Sequence, residues 1–306
     1  QPTELSHTSS NNEEHYKTCT IAQDLKAQFI TGMTVAETTD TGPAEIKEIH
    51  KQFLLYLIMH EMGHTLGLNH NMKSSQMLSP AEINNKELTR KMGSIGSVMD
   101  YPAINIALDK TKQGDYYTTR TGPYDLWAIE YGYKSFAESE EEKELQKIAA
   151  RSNDPKLAFG NDGDDMRAPG KGMDPRVNVF DLTNDAIGYA EERFKLVNNV
   201  MGKLIQKYSK PGQSYAELRS RYGVLNAQRR DMMSAVSRYI GGVYIDRSTP
   251  DQNSPNKPFT PVPVATQKRA MAVLSKYVFA PDAYETDAPL FAYLQPQRRG
   301  FNQNPA

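Results

Sequence analysis

The sequence HEMGHTLGLNH, residues 60 to 70, contains three of the six histidines of this 306-residue chain. On an α-helix His60 and His64 lie about one turn apart on the same face, so their imidazoles can converge on one point. A glycine such as Gly67 commonly ends a helix in a left-handed conformation. The chain would then double back and bring His70 to the same point from another direction. The spacing therefore predicts a three-histidine metal site at the end of a helix.

Zinc is the ion that suits this set of side chains. Three neutral imidazoles provide nitrogen ligands for tetrahedral coordination and leave the fourth position to water, as in catalytic zinc sites. Glu61 lies about 100° around the helix from His60, at the edge of the site and within reach of that water. Three histidines without a metal are the weaker interpretation, because the motif HExxHxxGxxH also fixes a glycine and a third histidine.

A second motif, SVMDY, occupies residues 97 to 101. A methionine in a tight turn there could form an apolar floor under a three-histidine zinc site. A lone methionine is usually core filler, so Met99 gains meaning only together with the histidine motif. We therefore assign Met99 a supporting position without a chemical role.

The two motifs together resemble those of the metzincin clan of zinc endopeptidases. The S-x-M-x-Y form of the turn is similar to that of astacins and serralysins. In those families the tyrosine two places after the methionine lies beside the zinc and helps stabilise the transition state. Tyr101 matches that position. Asn71, directly after the third histidine, fits none of the usual subfamily markers.

A closer likeness extends over most of the chain, from about residue 15 to 280. The segments HEMGHTLGLNHNMKSS, SVMDYPAINIA and GPYDLWAIEYGY resemble the large bacterial zinc-dependent metalloproteases called Met-zincins. In that family a metzincin core precedes a helical C-terminal region, and DPRVNVFDLTNDAIGYAEERF resembles the start of that region. Members are generally exported, so the resemblance implies a periplasmic, cell-surface or extracellular protein.

The resemblance implies a zinc-dependent endopeptidase whose substrate is a protein or peptide. Zinc held by His60, His64 and His70 would activate a water molecule. Glu61 would act as general base and then return the proton to the leaving amine. Tyr101 would donate to the developing oxyanion.

Two other interpretations stay open. In a gluzincin-like site the third ligand is a downstream glutamate, and Glu82 and Glu87 are available, although Glu82 is expected to form a capping box with Ser79. Alternatively, the protein is a zinc-binding but inactive scaffold that uses its helical C-terminal region for interactions. The intact Glu61 argues against this scaffold.

Composition excludes several other classes of protein. The 36 basic and 37 acidic side chains give a net charge of -1, so no basic field is present to bind nucleic acid. Short basic runs such as residues 228–230 are interpreted as solvated helix faces. The longest apolar run, residues 53–59, is too short to span a membrane. Cys19 is the only cysteine, so no internal disulfide can form.

Hydrophobic spacing predicts a mainly α-helical chain in three parts. Residues 1–150 form the metzincin-like zinc-binding segment, residues 151–175 a loop-rich boundary, and residues 176–306 a helical region. In the boundary, residues 161–165 are either a calcium site or, as we favour, a solvated turn. The predicted helices before the boundary cover residues 14–35, 44–66 and 123–131, the last ending at Gly132, and a further helix is predicted to start at Ser79.

Metzincin cores place a twisted sheet ahead of the active-site helix, and its edge strand binds the substrate. Residues 1–43 contain at most one weak strand candidate, residues 29–35, which fits a helix better. We therefore expect the sheet, and further domains, to lie upstream of this chain. An apolar face near His60 would then be exposed, and these residues alone would bind zinc with weak or absent proteolysis.

Overall fold

The computed structural model describes residues 21–39, 41–163, 165–166, 172–252, 254 and 256–295, and over these residues the fold is mainly helical, as predicted. The helices are α1 Ile21–Thr38, α2 Pro43–Thr65, α3 Lys86–Met92, α4 Pro123–Tyr133, α5 Glu141–Ala149, α6 Ala186–Met201, α7 Leu204–Tyr208, α8 Ala216–Ser237 and α9 Val264–Leu274. Short 3-10 segments are Ser74–Met77, Glu82–Asn84, Lys110–Lys112, Ala150–Asn153, Pro155–Leu157, Pro250–Gln252 and Glu285–Tyr293, and Ser275–Phe279 is a π-helical turn.

Within the described residues the only strands are β1 Val243–Ile245 and β2 Phe259–Pro261, which pair antiparallel with Val243 opposite Pro261. The segment at residues 29–35 lies inside α1, so its interpretation as a helix is confirmed. The predicted start of this helix at residue 14 lies outside the described residues. The upstream sheet stays a prediction.

Helix α2 has the bounds expected from the sequence to within one residue. Pro43 follows the N-cap Gly42, a position where the missing proline N–H leaves no helical hydrogen bond unmade. Gly67 has a φ of 80°, which confirms the left-handed turn that ends the helix.

Two stripes of opposite character run along α2. One is buried and consists of Ile49, Gln52, Tyr56, His60 and Gly63. The other is apolar but exposed, with Leu54, Ile58, Met62 and Leu66 each between 42% and 57% accessible. We call this second set the apolar stripe. It confirms the expected exposed apolar face near His60.

The segment after Ser79 differs in part from the prediction. Ser79 and Glu82 form the expected capping box, with the Ser79 N–H donating to the glutamate at 2.9 Å. Only a 3-10 turn follows, because Asn85 then caps a new helix by accepting from the N–H groups of Glu87 and Leu88. The capping motif therefore starts a turn, and α3 begins four residues after it.

The prediction that α4 ends at Gly132 is wrong. The helix continues to Tyr133, and Gly132 is not among the glycines with positive φ. Gly132 therefore does not form the left-handed turn that ends many helices.

The C-terminal region is a packed group of helices, as predicted, with α6 lying along α8. Within this region α6 and α7 are separated only by Gly202 and Lys203. The interpretation of residues 228–230 as a solvated face is wrong for Gln228 and Arg229, which are buried.

Helix α1 connects the two halves of the fold, because it contacts both α2 and α8. One buried apolar cluster contains Tyr56 and Ile95 together with Phe194 and Met232. Residues on both sides of the proposed boundary therefore share a core, and the division into three parts stays a prediction. No helix in the described part of the chain is long and apolar enough to cross a membrane.

Candidate metal centre

The structure brings the three predicted histidines together. The ring centroids of His60 and His64 lie 4.8 Å apart, and that of His70 lies 4.7 Å from His64 and 5.4 Å from His60. Their candidate ligand atoms all lie within 4.8 Å of one another. Across the described residues this is the only such group, and it includes neither Glu82 nor Glu87. The gluzincin-like alternative therefore has no support in the geometry.

Each histidine directs its Nδ1 at an oxygen atom. His60 Nδ1 lies 2.7 Å from the Val98 carbonyl, and His64 Nδ1 lies 3.2 Å from the Leu68 carbonyl. A carbonyl oxygen only accepts, so Nδ1 carries the proton in both rings and Nε2 keeps its lone pair. This is the tautomer that binds a metal through Nε2.

The Nε2 atoms of the three histidines face one another in the cluster. His60 Nε2 is buried without a hydrogen-bond partner, and His64 Nε2 lies 3.1 Å from His70 Nε2. Burial lowers the pKa of His60 to about 3, an effect that the Val98 carbonyl only partly opposes, so this imidazole is neutral. Three imidazole Nε2 atoms that converge in this way fit a zinc ion that binds all three.

Met99 is completely buried and packs against Gly63, the residue before His64. A Cβ placed on Gly63 would come within 2.3 Å of the Met99 sulfur. Any side chain at position 63 would therefore require the Met99 side chain to move. The glycine inside HEMGH is thus a contact residue of the turn, which sequence reasoning missed.

The methionine turn is fixed by a buried carboxylate from α4. Asp125 accepts from the Ser97 hydroxyl at 2.5 Å, from the Val98 N–H at 2.9 Å and from the Gly122 N–H at 2.8 Å. Since the Val98 carbonyl orients His60, Asp125 supports a ligand through the turn. Its signal in the sequence was only the likeness of GPYDLWAIEYGY to the family.

A second buried carboxylate belongs to the turn itself. Asp100 accepts from the Ser74 hydroxyl at 2.8 Å and from the Ser75 N–H at 2.7 Å, and the Tyr56 hydroxyl donates to its carbonyl. Burial raises the pKa of Asp100 to about 7, although these hydrogen bonds oppose the rise. The turn is therefore held between α2, α4 and the 3-10 segment Ser74–Met77.

The two other predicted site residues lie next to the histidines. The Tyr101 hydroxyl is 3.1 Å from His70 Nε2, and the ring is 4.8 Å from that of His70. Glu61 follows His60 on α2 and is exposed. His50 is exposed earlier on the same helix, whereas His7 and His15 lie outside the described residues.

The loop at residues 161–165 is more than the solvated turn that we favoured. Asp162 lies 3.0 Å from His70 Nδ1 and so takes the place that carbonyl groups hold at the other two ligands. Asp165 is buried and forms an ion pair with Arg247. Sequence reasoning missed both roles, because each partner lies far away in the chain. Asp164 is outside the described residues, and the calcium interpretation stays untested.

The chain was compared with protein families, curated proteins and solved structures. No curated protein and no solved structure gives a significant match. The sequence profile of one family, described as Met-zincin, matches residues 43–305, which is most of the chain and includes both motifs. The chain therefore belongs to the Met-zincin family.

Proposed function

We propose that this protein is a zinc-dependent endopeptidase that hydrolyses peptide bonds in protein or peptide substrates. The observation that supports this most is the convergence of His60, His64 and His70 with their Nδ1 atoms engaged. Membership of the Met-zincin family supports the metallopeptidase class.

The proposed mechanism assigns one task to each nearby side chain. Bound zinc would supply Lewis acidity that polarises the peptide carbonyl and makes an attacking water more acidic. Glu61 takes a proton from that water and delivers it to the leaving amine. The Tyr101 hydroxyl donates to the oxyanion that develops on the carbonyl oxygen. The exposed position of Glu61 beside His60 is compatible with access to substrate.

The apolar stripe supports the proposal that further chain covers α2. Monomeric proteins rarely expose a contiguous row of large apolar side chains without a partner. We assign the stripe to a metzincin-type sheet from an upstream segment, whose edge strand would order an extended substrate by β-addition. By the same family resemblance the protein is exported.

Zinc content tests the site directly. The parent should bind one zinc per chain, and His64→Ala should lose stoichiometric zinc because two imidazoles hold the ion far more weakly than three. His50→Ala is the matched control, since His50 is an exposed histidine of the same helix outside the cluster. Undiminished zinc in His64→Ala, measured by elemental analysis, would contradict the assignment.

Hydrolysis of an unstructured substrate such as casein, with and without a chelator, separates the enzyme from the inactive scaffold. A longer protein that includes the upstream sheet should cleave casein and lose that activity on chelation. Residues 1–306 alone should bind zinc with weak or absent cleavage. Robust cleavage by these residues alone would contradict the upstream sheet, and zinc binding without cleavage by the longer protein would favour the scaffold.

A further inference from the structure

We propose that Asp162 is a positioning residue for the zinc ligand His70, and that Arg247 in the C-terminal region holds the Asp162 loop in place. This inference rests on the proposed function, since it assumes that the three histidines bind zinc. It assigns the C-terminal region a direct effect on the metal centre.

The three ligands differ in how they are oriented. His60 and His64 are fixed by α2 and by carbonyl groups of the backbone. His70 lies beyond the helix, after Gly67, and its Nδ1 partner is the carboxylate of Asp162 at 3.0 Å. His70 is the one ligand of the three that lies outside α2. Its orientation therefore depends on a side chain 92 residues later in the chain.

The loop that carries Asp162 is tied down at its base. The Asn161 N–H donates to the Asp165 carboxylate at 3.0 Å, and the Asp165 N–H donates to the Asn161 carbonyl at 3.2 Å. Asp165 has a side chain that is only 4% exposed. These two reciprocal bonds fix the backbone on either side of the turn.

Arg247 neutralises the buried Asp165 carboxylate. Its Nη1 donates to Asp165 Oδ2 at 3.2 Å, and its Nη2 forms a second, shorter bond to Oδ1. Arg247 lies two residues after β1, and the N–H of Val243 at the start of β1 bonds to the Met173 carbonyl. A continuous set of contacts thus leads from β1 through Arg247 and Asp165 to the ligand His70.

A carboxylate is a stronger partner than a carbonyl for a ligating imidazole. It accepts the Nδ1 proton, orients the ring, raises the basicity of Nε2 and brings a negative charge toward the cation. Asp162 is 57% exposed, so water screens part of that charge. We therefore expect an effect near the lower end of the range known for such partners.

Zinc affinity of the whole chain tests the inference, measured by competition with a chromogenic chelator using the metal alone. Asp162→Ala should weaken binding about tenfold, within the roughly 10- to 100-fold range of such partners. Asp162→Asn should lose less, because an amide oxygen still accepts the Nδ1 proton. Arg247→Gln should shift the affinity in the same direction by a smaller factor.

Two control variants carry the same kinds of substitution at positions away from the Asp162 loop. Asp109→Ala removes a carboxylate that also organises a local turn, through Thr111. Arg269→Gln breaks the ion pair with Asp185 in the C-terminal region. Both should keep the zinc affinity of the parent. The metal-free Asp162 variants should unfold at the parent temperature, because a positioning role affects the metal-bound form.

The outcomes separate this inference from the proposed function. A parent that binds no zinc would reject both. A parent that binds zinc with the same affinity as Asp162→Ala would overturn the positioning role and leave the proposed function intact. An unchanged affinity in Arg247→Gln would overturn the link to the C-terminal region.

Discussion

His60 and Arg229 are both buried polar side chains on helices, but their own polar atoms are matched differently. Near the methionine turn, His60 Nε2 has no hydrogen-bond partner. In the C-terminal region, Arg229 donates to both oxygens of Asp287, at 2.6 and 2.8 Å, and also to Asn198 and Thr286. The protein supplies hydrogen-bond partners to the Arg229 guanidinium, whereas it supplies none to His60 Nε2.

An unmatched buried atom alone does not mark a site, since both amide atoms of Gln228 beside Arg229 also have no hydrogen-bond partner. His60 differs because it lies in a cluster with two other imidazoles. Buried polar atoms in native proteins almost always have partners, so an unmatched one requires an explanation. Around His60 that explanation is a ligand supplied from outside. The partners of Arg229 itself are complete, and the ion pair serves the fold. Substitutions of the residues that act at the histidine cluster should therefore change chemistry more than stability, and substitution of Arg229 should do the reverse.

The largest effect should come from Glu61→Ala, which removes the proposed general base. We expect kcat/KM of the active protein to fall by roughly 10²- to 10⁴-fold. Zinc content and the melting temperature should stay at the parent values, because Glu61 is exposed. A variant that still cleaves casein at the parent rate would remove Glu61 from the mechanism.

Arg229→Ala tests the other side of the comparison. It leaves the Asp287 carboxylate buried without its cation, which should cost about 3–5 kcal/mol in the free energy of unfolding. The adjacent Arg230 is the matched control, since its side chain is 73% exposed. Arg230→Ala should change stability by about 0.5 kcal/mol or less. Urea unfolding measures both.

The folded fraction of Arg229→Ala should bind zinc with the affinity of the parent. A loss of zinc affinity in that fraction would show that the Arg229 ion pair also affects the histidine cluster. A loss of stability no larger than in Arg230→Ala would refute the structural role of the ion pair.

Tyr101→Phe should have a smaller effect on hydrolysis than Glu61→Ala. Loss of one donor to the oxyanion lowers kcat by roughly 10- to 10³-fold, while substrate binding and zinc content stay unchanged. Tyr133→Phe is a control, because its hydroxyl donates to the Leu66 carbonyl outside the cluster. If Tyr101→Phe hydrolysed peptides as fast as the parent, the matched role of Tyr101 would be wrong.

A pH-dependent effect on stability should come from Asp100, a buried carboxylate in the methionine turn itself. Burial raises its pKa from 3.8 to about 7. Folding therefore favours the protonated form. This stabilisation of the folded protein is complete below the pKa that Asp100 has in the unfolded chain. It is lost as the pH rises through about 7. Relative to Asp100→Asn, the metal-free parent should lose unfolding free energy over this range.

Urea unfolding of the two proteins at several pH values measures that difference. A difference between parent and Asp100→Asn that does not vary with pH would show that Asp100 keeps an ordinary pKa. The pKa of Asp181 is raised by burial and also by the charge of Asp100, so the difference between the two proteins reports the coupled titration of both carboxyl groups.

Local sequence signals predicted much of the helical structure and the histidine cluster. The bounds of α2 follow from its proline, its apolar spacing and Gly67, all of which act within a few residues. The same holds for the capping box at Ser79, although whether a helix or a short turn follows depends on Asn85.

Contacts between distant residues were beyond that reasoning. Arg229 looked like part of a charged surface because its partner Asp287 lies 58 residues away. Asp162 looked like part of a solvated turn because His70 lies 92 residues before it. A short polar run has the same local pattern on a surface as in a buried ion pair, so only the tertiary fold separates the two.

The burial of Met99 gives the protein an internal chemical reporter. Hydrogen peroxide converts accessible methionine to the sulfoxide, and a buried thioether reacts only when its surroundings open. Met62 is 57% exposed and lies beside Gly63, which covers the fully buried Met99. The ratio of sulfoxide at these two positions, read by peptide mass spectrometry, therefore measures how often the floor of the histidine cluster separates from α2. Bound zinc should lower the amount of Met99 sulfoxide relative to Met62 sulfoxide. It should leave the oxidation rate of Met62 unchanged.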